Sequence, residues 1–207
     1  MKLFRRLCIL LIFVSLSSAC AAPSNILLSE DFSSNSNSWD NVSDSNMTTN
    51  YYNDAYRILV NMPNYDAWAN PDDLSFTDVQ VEVDAIKNDG PNVNDFGIIC
   101  RYTNADSYYY GVISSDGYYG IYKKTSQGGT QLGLGKEQFS EKILTGAVTN
   151  HIRFDCVGST LTLYVNGTAI DQRSDQTYTE GNIGLIAGTY TEAGTDILFD
   201  NLFVYKP

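Results

Sequence analysis

Asp78 to Ile86 reads DVQVEVDAI, with Val79, Val81, Val83 and Ala85 at one parity and Gln80, Glu82 and Asp84 at the other. Side chains alternate faces along a strand but recur every 3.6 residues around a helix, so this stretch buries one side only as β-structure. The same alternation runs through Asp95–Tyr102, Ser107–Ser114, His151–Val157 and Ser159–Val165. It returns in Asn182–Thr189 and Thr195–Tyr205. Turn chemistry separates these runs: TNAD at 103–106, Asp116-Gly117, Gly158 and Asn166-Gly167. Asp-Gly and Asn-Gly supply the positive φ that tight hairpins need. Turns recurring about every ten residues predict an all-β sandwich or barrel. No window keeps a helical period, although Phe139–Leu144 could close one helical turn. Ser33–Asn50, rich in Ser and Asn, and the Gly-rich Lys124–Gly135 read as loops.

The chain has 207 residues, which fits one domain. Its formal net charge is −11, with 15 Tyr and one His. An acidic chain lacks the clustered Lys and Arg that hold phosphates, so no nucleic-acid partner is expected. A single His argues against His-rich zinc centres and most Ser-His-Asp machinery.

The first residues carry a different signal. Lys2, Arg5 and Arg6 precede an apolar run from Leu7 to Leu16, then Ser17, Ser18, Ala19 and Cys20. The run is shorter than the roughly 20 apolar residues a membrane-spanning helix needs, and the order charged, apolar, small is that of a secretory signal. LSSAC resembles the lipobox of bacterial lipoproteins, with Ser17 where Leu is usual; ordinary cleavage after Ala21 is the alternative. The expected organisation is a signal peptide at 1–19, a lipid-anchored linker at 20–26 and one domain at 27–207. The expected location is the cell envelope, facing outward, with the membrane contacted through a lipid on Cys20. Cys100 and Cys156 remain in the exported domain. An oxidising compartment and two core-directed faces, Cys100 with Phe96, Ile98 and Tyr102 and Cys156 with Ile152 and Phe154, make them a disulfide candidate. Two buried thiols are the alternative.

Four segments carry a family resemblance: EDFSSNSNSW, FGIICRYTNADSYYYGVISSDGYYGIYK, NHIRFDCVGSTLTLYVNGTAID and GNIGLIAGTYTEAGTDILFDNLFVY. Together, from about Leu27 to Tyr205, they resemble the concanavalin A-like lectin/glucanase superfamily. The laminin-G-like and 3-keto-disaccharide-hydrolase-like domains of bacterial lipoproteins are the nearest members. The resemblance implies a jelly-roll sandwich of two antiparallel sheets and a polysaccharide or glycan partner. It specifies fold more than function.

Three sites follow. Related modules tie their paired termini with Ca²⁺; here Glu30, Asp31 and Asp200 would supply the hard oxygen ligands, although they fall far short of six. The Tyr-dense hairpin at 108–122 offers rings for sugar C–H faces. Tyr109, Tyr119, Arg101 and Glu82 are the candidate ligand residues, with Tyr109, Arg101 and Glu82 expected to face out of the core on one concave sheet; Tyr65 and Trp68 lie in the loop-like stretch NMPNYDAWAN. Cross-strand aromatic pairing is the plain alternative. Glycosidases of the superfamily carry ExDxxE on one strand, and Glu82 and Asp84 keep only its centre, a weak catalytic pair. The expected function is therefore a non-catalytic carbohydrate-binding domain. A 3-keto-disaccharide-type hydrolase and an envelope or adhesion domain that binds protein are the alternatives.

Overall fold

The structure, a computed structural model, describes residues 25–207. The signal segment, Cys20 and most of the expected linker lie outside that range. The described residues form sixteen strands in chain order: β1 (Ile26–Glu30), β2 (Val42–Ser43), β3 (Met47–Tyr51), β4 (Tyr56–Val60), β5 (Asp66–Ala69), β6 (Val79–Asp89), β7 (Asn94–Asn104) and β8 (Ser107–Ile113). They continue with β9 (Tyr118–Thr125), β10 (Gly128–Gln131), β11 (Gln138–Phe139), β12 (Asn150–Val157), β13 (Thr160–Val165), β14 (Thr168–Ser174), β15 (Asn182–Thr189) and β16 (Thr195–Tyr205). Phe139–Leu144 forms no helix, only a single turn closed by the Ile143 amide on the Ser140 carbonyl at 3.2 Å, and both segments read as loops contain short strands.

The strands pair into two antiparallel sheets. The nine-stranded sheet runs β14-β13-β12-β6-β16-β4-β3-β2, with β1 paired to the C-terminal half of β16. The seven-stranded sheet runs β10-β9-β8-β7-β15-β5, with β11 on the far end of β9. One core fills the space between the sheets. Val79, Val81, Val83 and Ala85 from β6 enter it beside Phe96 and Ile98 from β7 and Phe154 from β12. This is the face-to-face packing that one apolar side per sheet demands. The turns are those the sequence marks: Asn166 and Gly167 both take positive φ between β13 and β14.

Cys100 on β7 and Cys156 on β12 are joined by a disulfide, Cα to Cα 6.7 Å, which stitches one sheet to the other. Directly after Cys100 the alternation breaks. Arg101 takes φ +55°, the register against β8 shifts, and a bulge follows. A bulge adds one residue to one strand and so flips the parity of everything beyond it. Tyr102, expected on the core face of Cys100, therefore packs on the opposite side of the sheet.

Candidate functional site

The same bulge decides where Arg101 goes. Simple alternation turns it outward, yet it is 2% exposed, at the end of the sandwich beside the disulfide. Its guanidinium donates to the carbonyls of Thr77 (3.1 Å), Tyr178 (2.9 Å) and Cys156 (3.4 Å) and pairs with Asp78 at 3.2 Å. These four bonds use all three nitrogens inside the protein, so Arg101 closes an edge of the core.

Tyr109 is likewise interior. It is 0% exposed and belongs to the core with Ile113 and Ile121. Its hydroxyl reaches the rim, where it donates to Asp175 (2.5 Å) and accepts from the Tyr178 amide (3.1 Å). Burial first, and then the bond to Asp175, pushes its pKa up to about 12. Burial works to raise the Asp175 pKa, but Lys123, Thr177 and Tyr109 bond its carboxylate and hold it well below the usual range. Tyr119 shares this parity and packs half-buried against the core. The expectation that Tyr109, Arg101 and Glu82 share one exposed face is not met: Tyr109 faces the core, as does Tyr119, Arg101 plugs the core's end, and Glu82 belongs to the other sheet.

Glu82 and Asp84 do face outward, on the nine-stranded sheet. The single His lies across them from β12: His151 Nδ1 is 2.8 Å from Asp84 and Nε2 is 3.6 Å from Glu82. The Tyr205 hydroxyl donates to Glu82 at 3.0 Å, and Asn201 Nδ2 donates to Asp84 at 3.1 Å. Beside them Arg153 grips Asp155 and stacks on Tyr164 at 4.8 Å. These carboxylates already have partners within the protein.

The termini pair as expected, β1 on β16, but the three calcium candidates do not converge. Glu30 is buried, and its two oxygens accept from the Phe32 amide (2.8 Å) and Asn37 Nδ2 (2.6 Å). Asp31 is an exposed turn residue, its pKa lowered by hydrogen bonds from Ser33. Asp200 sits across a surface depression lined by Asp54, Asp84 and Asn201. Among the described residues, no three acidic, His or Cys side chains are arranged to hold a metal. The donors at these positions do not fit a calcium ion.

What the sequence reading missed lies on the outer face of the seven-stranded sheet. The residues at the opposite parity to Tyr109, namely Tyr108, Tyr110 and Val112, form a second apolar cluster with Ile99 and Ile186, flanked by Trp68, Tyr102 and Tyr122. Their rings make a continuous layer. Trp68 lies 6.1 Å from Tyr108, Tyr102 lies 5.5 Å from it, and Tyr108 lies 5.6 Å from Tyr110. Tyr110 stacks on Tyr122 at 4.9 Å and 11°. Tyr108 and Tyr110 are buried beneath the layer, and Trp68, Tyr102 and Tyr122 are half-buried at its surface.

Carboxylates border the layer. Asp66 on β5 and Asp95 on β7 flank Gly188 of the intervening β15, one on each side. A Cβ on Gly188 would collide with Oδ1 of both, each under 3.0 Å from that point, so the two acids are close neighbours. Burial first, and then the charges of Asp66 and Glu137, pushes the Asp95 pKa up to about 8. Burial raises Asp66 too, against the opposing charge of Lys124. Among the described residues neither carboxylate accepts a hydrogen bond that would offset its burial. Glu137, from the segment between β10 and β11, differs: it accepts from the Tyr122 hydroxyl at 3.0 Å and the Tyr190 hydroxyl at 2.5 Å. The legible signal was parity. Asp95 stands opposite Phe96 and Ile98 in DFGIICRY, so a carboxylate shares its face with Gly97 and Ile99.

No protein-family model matches the chain, and no curated protein matches it. Solved structures do. A carbohydrate-binding module, CBM66 from Bacillus subtilis, superposes with a TM-score of 0.64 at 15% identity, covering 81% of this chain and 95% of that one. A Bacillus subtilis protein of unknown function with a galectin-like fold gives 0.62 at 10% identity over 87% and 95%. A Bacteroides ovatus GH16 enzyme of a mixed-linkage glucan locus, solved with its product, gives 0.60 at 10% identity over 86% and 100%. At such identities these similarities show the fold alone, a sandwich of two antiparallel sheets.

Proposed function

We propose that this protein is an exported, lipid-anchored domain that binds carbohydrate without catalysis, on the outer face of the seven-stranded sheet. The observation that carries the reading is the ring layer from Trp68 to Tyr122 lying beside two carboxylates that have no partner. Aromatic faces accept sugar C–H surfaces, and unpartnered carboxylates accept sugar hydroxyls, so the patch presents both halves of a glycan site. The fold similarity to a carbohydrate-binding module supports the same reading. The anchor rests on Cys20 and the export signal that precedes it.

Affinity electrophoresis of the protein in gels containing soluble polysaccharides tests this. Trp68→Ala removes one stacking ring, worth about 1 kcal/mol, and should weaken retention roughly fivefold. Retention unchanged by Trp68→Ala overturns the assignment of the face. Release of new reducing ends from the polysaccharide overturns the non-catalytic reading and gives the carboxylate pair to hydrolysis.

A further inference from the structure

Within the proposed sugar-binding face, Asp66 and Asp95 form a feature that stacking alone does not need. They meet over Gly188, where a side chain would displace both. No Arg pairs with either among the described residues, and the nearby cation, Lys124 on β9, acts on Asp66 only through its field. Glu137 adds a further negative charge on the same side. A second, independent feature points into this region. Tyr108 is 0% exposed, and its hydroxyl has no hydrogen-bond partner. Burial raises its pKa first, and the leading charge acting on it is that of Asp66. The layer next to the acids thus holds a buried polar atom awaiting a partner, beside rings whose faces attract cations.

Two adjacent half-buried carboxyls resist ionising together, so the pair keeps a proton on Asp95, and a ligand cation that takes the proton's place stabilises both ionised groups at once. A sugar hydroxyl offers each a hydrogen bond but no charge. A uronate or sulfate adds to the repulsion. Resting on the glycan-binding reading of this face, we infer that the Asp66–Asp95 pair selects glycans carrying free amino groups, holding an ammonium between the two carboxylates while Trp68 stacks on the sugar ring.

The test uses the purified full-length protein in titration calorimetry, with a glucosamine hexamer, cellohexaose and a galacturonate oligomer as probes. The glucosamine hexamer should bind at least about tenfold more tightly than cellohexaose, the size of effect a charge-assisted bond gives, and the galacturonate oligomer more weakly than either. Asp66→Asn and Asp95→Asn, which keep the shape, should each cut the amino-sugar preference severalfold. Asp54→Asn removes an equal charge on the other sheet and should leave the preference intact. Equal binding of glucosamine hexamer and cellohexaose overturns the inference and leaves the glycan-binding reading standing. A preference that survives both Asp→Asn changes also overturns it, because whole-protein charge is then responsible. Failure of all three probes to bind overturns the inference and the reading together.

Discussion

The outer faces of the two sheets are built from the same residue types and differ in what those residues have to bond to. On the nine-stranded sheet Glu82 and Asp84 meet His151, Tyr205 and Asn201, and Asp155 meets Arg153. On the seven-stranded sheet Asp66 and Asp95 meet each other. Aromatic rings lie on both: Phe203 stacks with Tyr205 on the first, and the layer from Trp68 to Tyr122 covers the second. Composition therefore does not tell a binding face from a structural one. A face whose polar groups are satisfied gains little from a ligand, whereas one that leaves carboxyl groups half-buried and unpaired gains from a partner that bonds them.

The severest way to break this comparison is to loosen the frame that keeps the faces apart. Replacing Cys100 and Cys156 together by Ser should cost about 4 kcal/mol, from the long loop the bridge closes. Urea unfolding reads the loss, and the two faces should fail in a single transition because one core supports both.

Asp95 sharpens the contrast. Its folded pKa of about 8 lies above the 3.8 usual for aspartate, so the folded state holds a proton that the unfolded state gives up. The stability this contributes is complete below about pH 4 and is lost as pH rises toward 8. The groups that set it are Asp66 from β5 and Glu137 from the β10–β11 segment, with Lys124 from β9 opposing through Asp66. Asp95→Asn removes the loss. At pH 8 the variant should be more stable than the wild type by on the order of 2 kcal/mol, a gap that narrows toward pH 4, and melting curves across that range check it. No gap at pH 8 would mean that burial and the neighbouring charges do not keep Asp95 protonated.

The smallest effect belongs to the satisfied face. Glu82→Gln with Asp84→Asn should lower stability by only about 0.5 kcal/mol, because half-exposed pairs with His151 are worth little. Glycan retention should not change, and a loss of retention would move the site to the nine-stranded sheet.

Much of the frame was legible from local rules. Alternation placed Val79 to Ala85 in the core, Asp116-Gly117 and Asn166-Gly167 reversed the chain where the structure reverses it, and the core-facing parity of Cys100 and Cys156 foretold their bridge. The site was less legible for two reasons. Parity counting fails at a bulge, and the bulge at Arg101 drew inside a side chain that counting sends out. Nor does a Tyr-dense hairpin say which alternate ring faces solvent. Tyr109 went to the core, and the rings of the outer layer are Tyr108, Tyr110 and Tyr122.

By itself the sequence determined the strands, their turns and which side of most strands is apolar, because these depend on neighbours one or two residues apart. Only the tertiary structure decided that β5 and β7 stand on either side of β15. That arrangement sets Asp66 beside Asp95 over a glycine from a third strand, and no local pattern carries the order of strands across a sheet. The strained ionisation at that point is a property of the assembled sheet, since each aspartate alone would be an ordinary solvated residue.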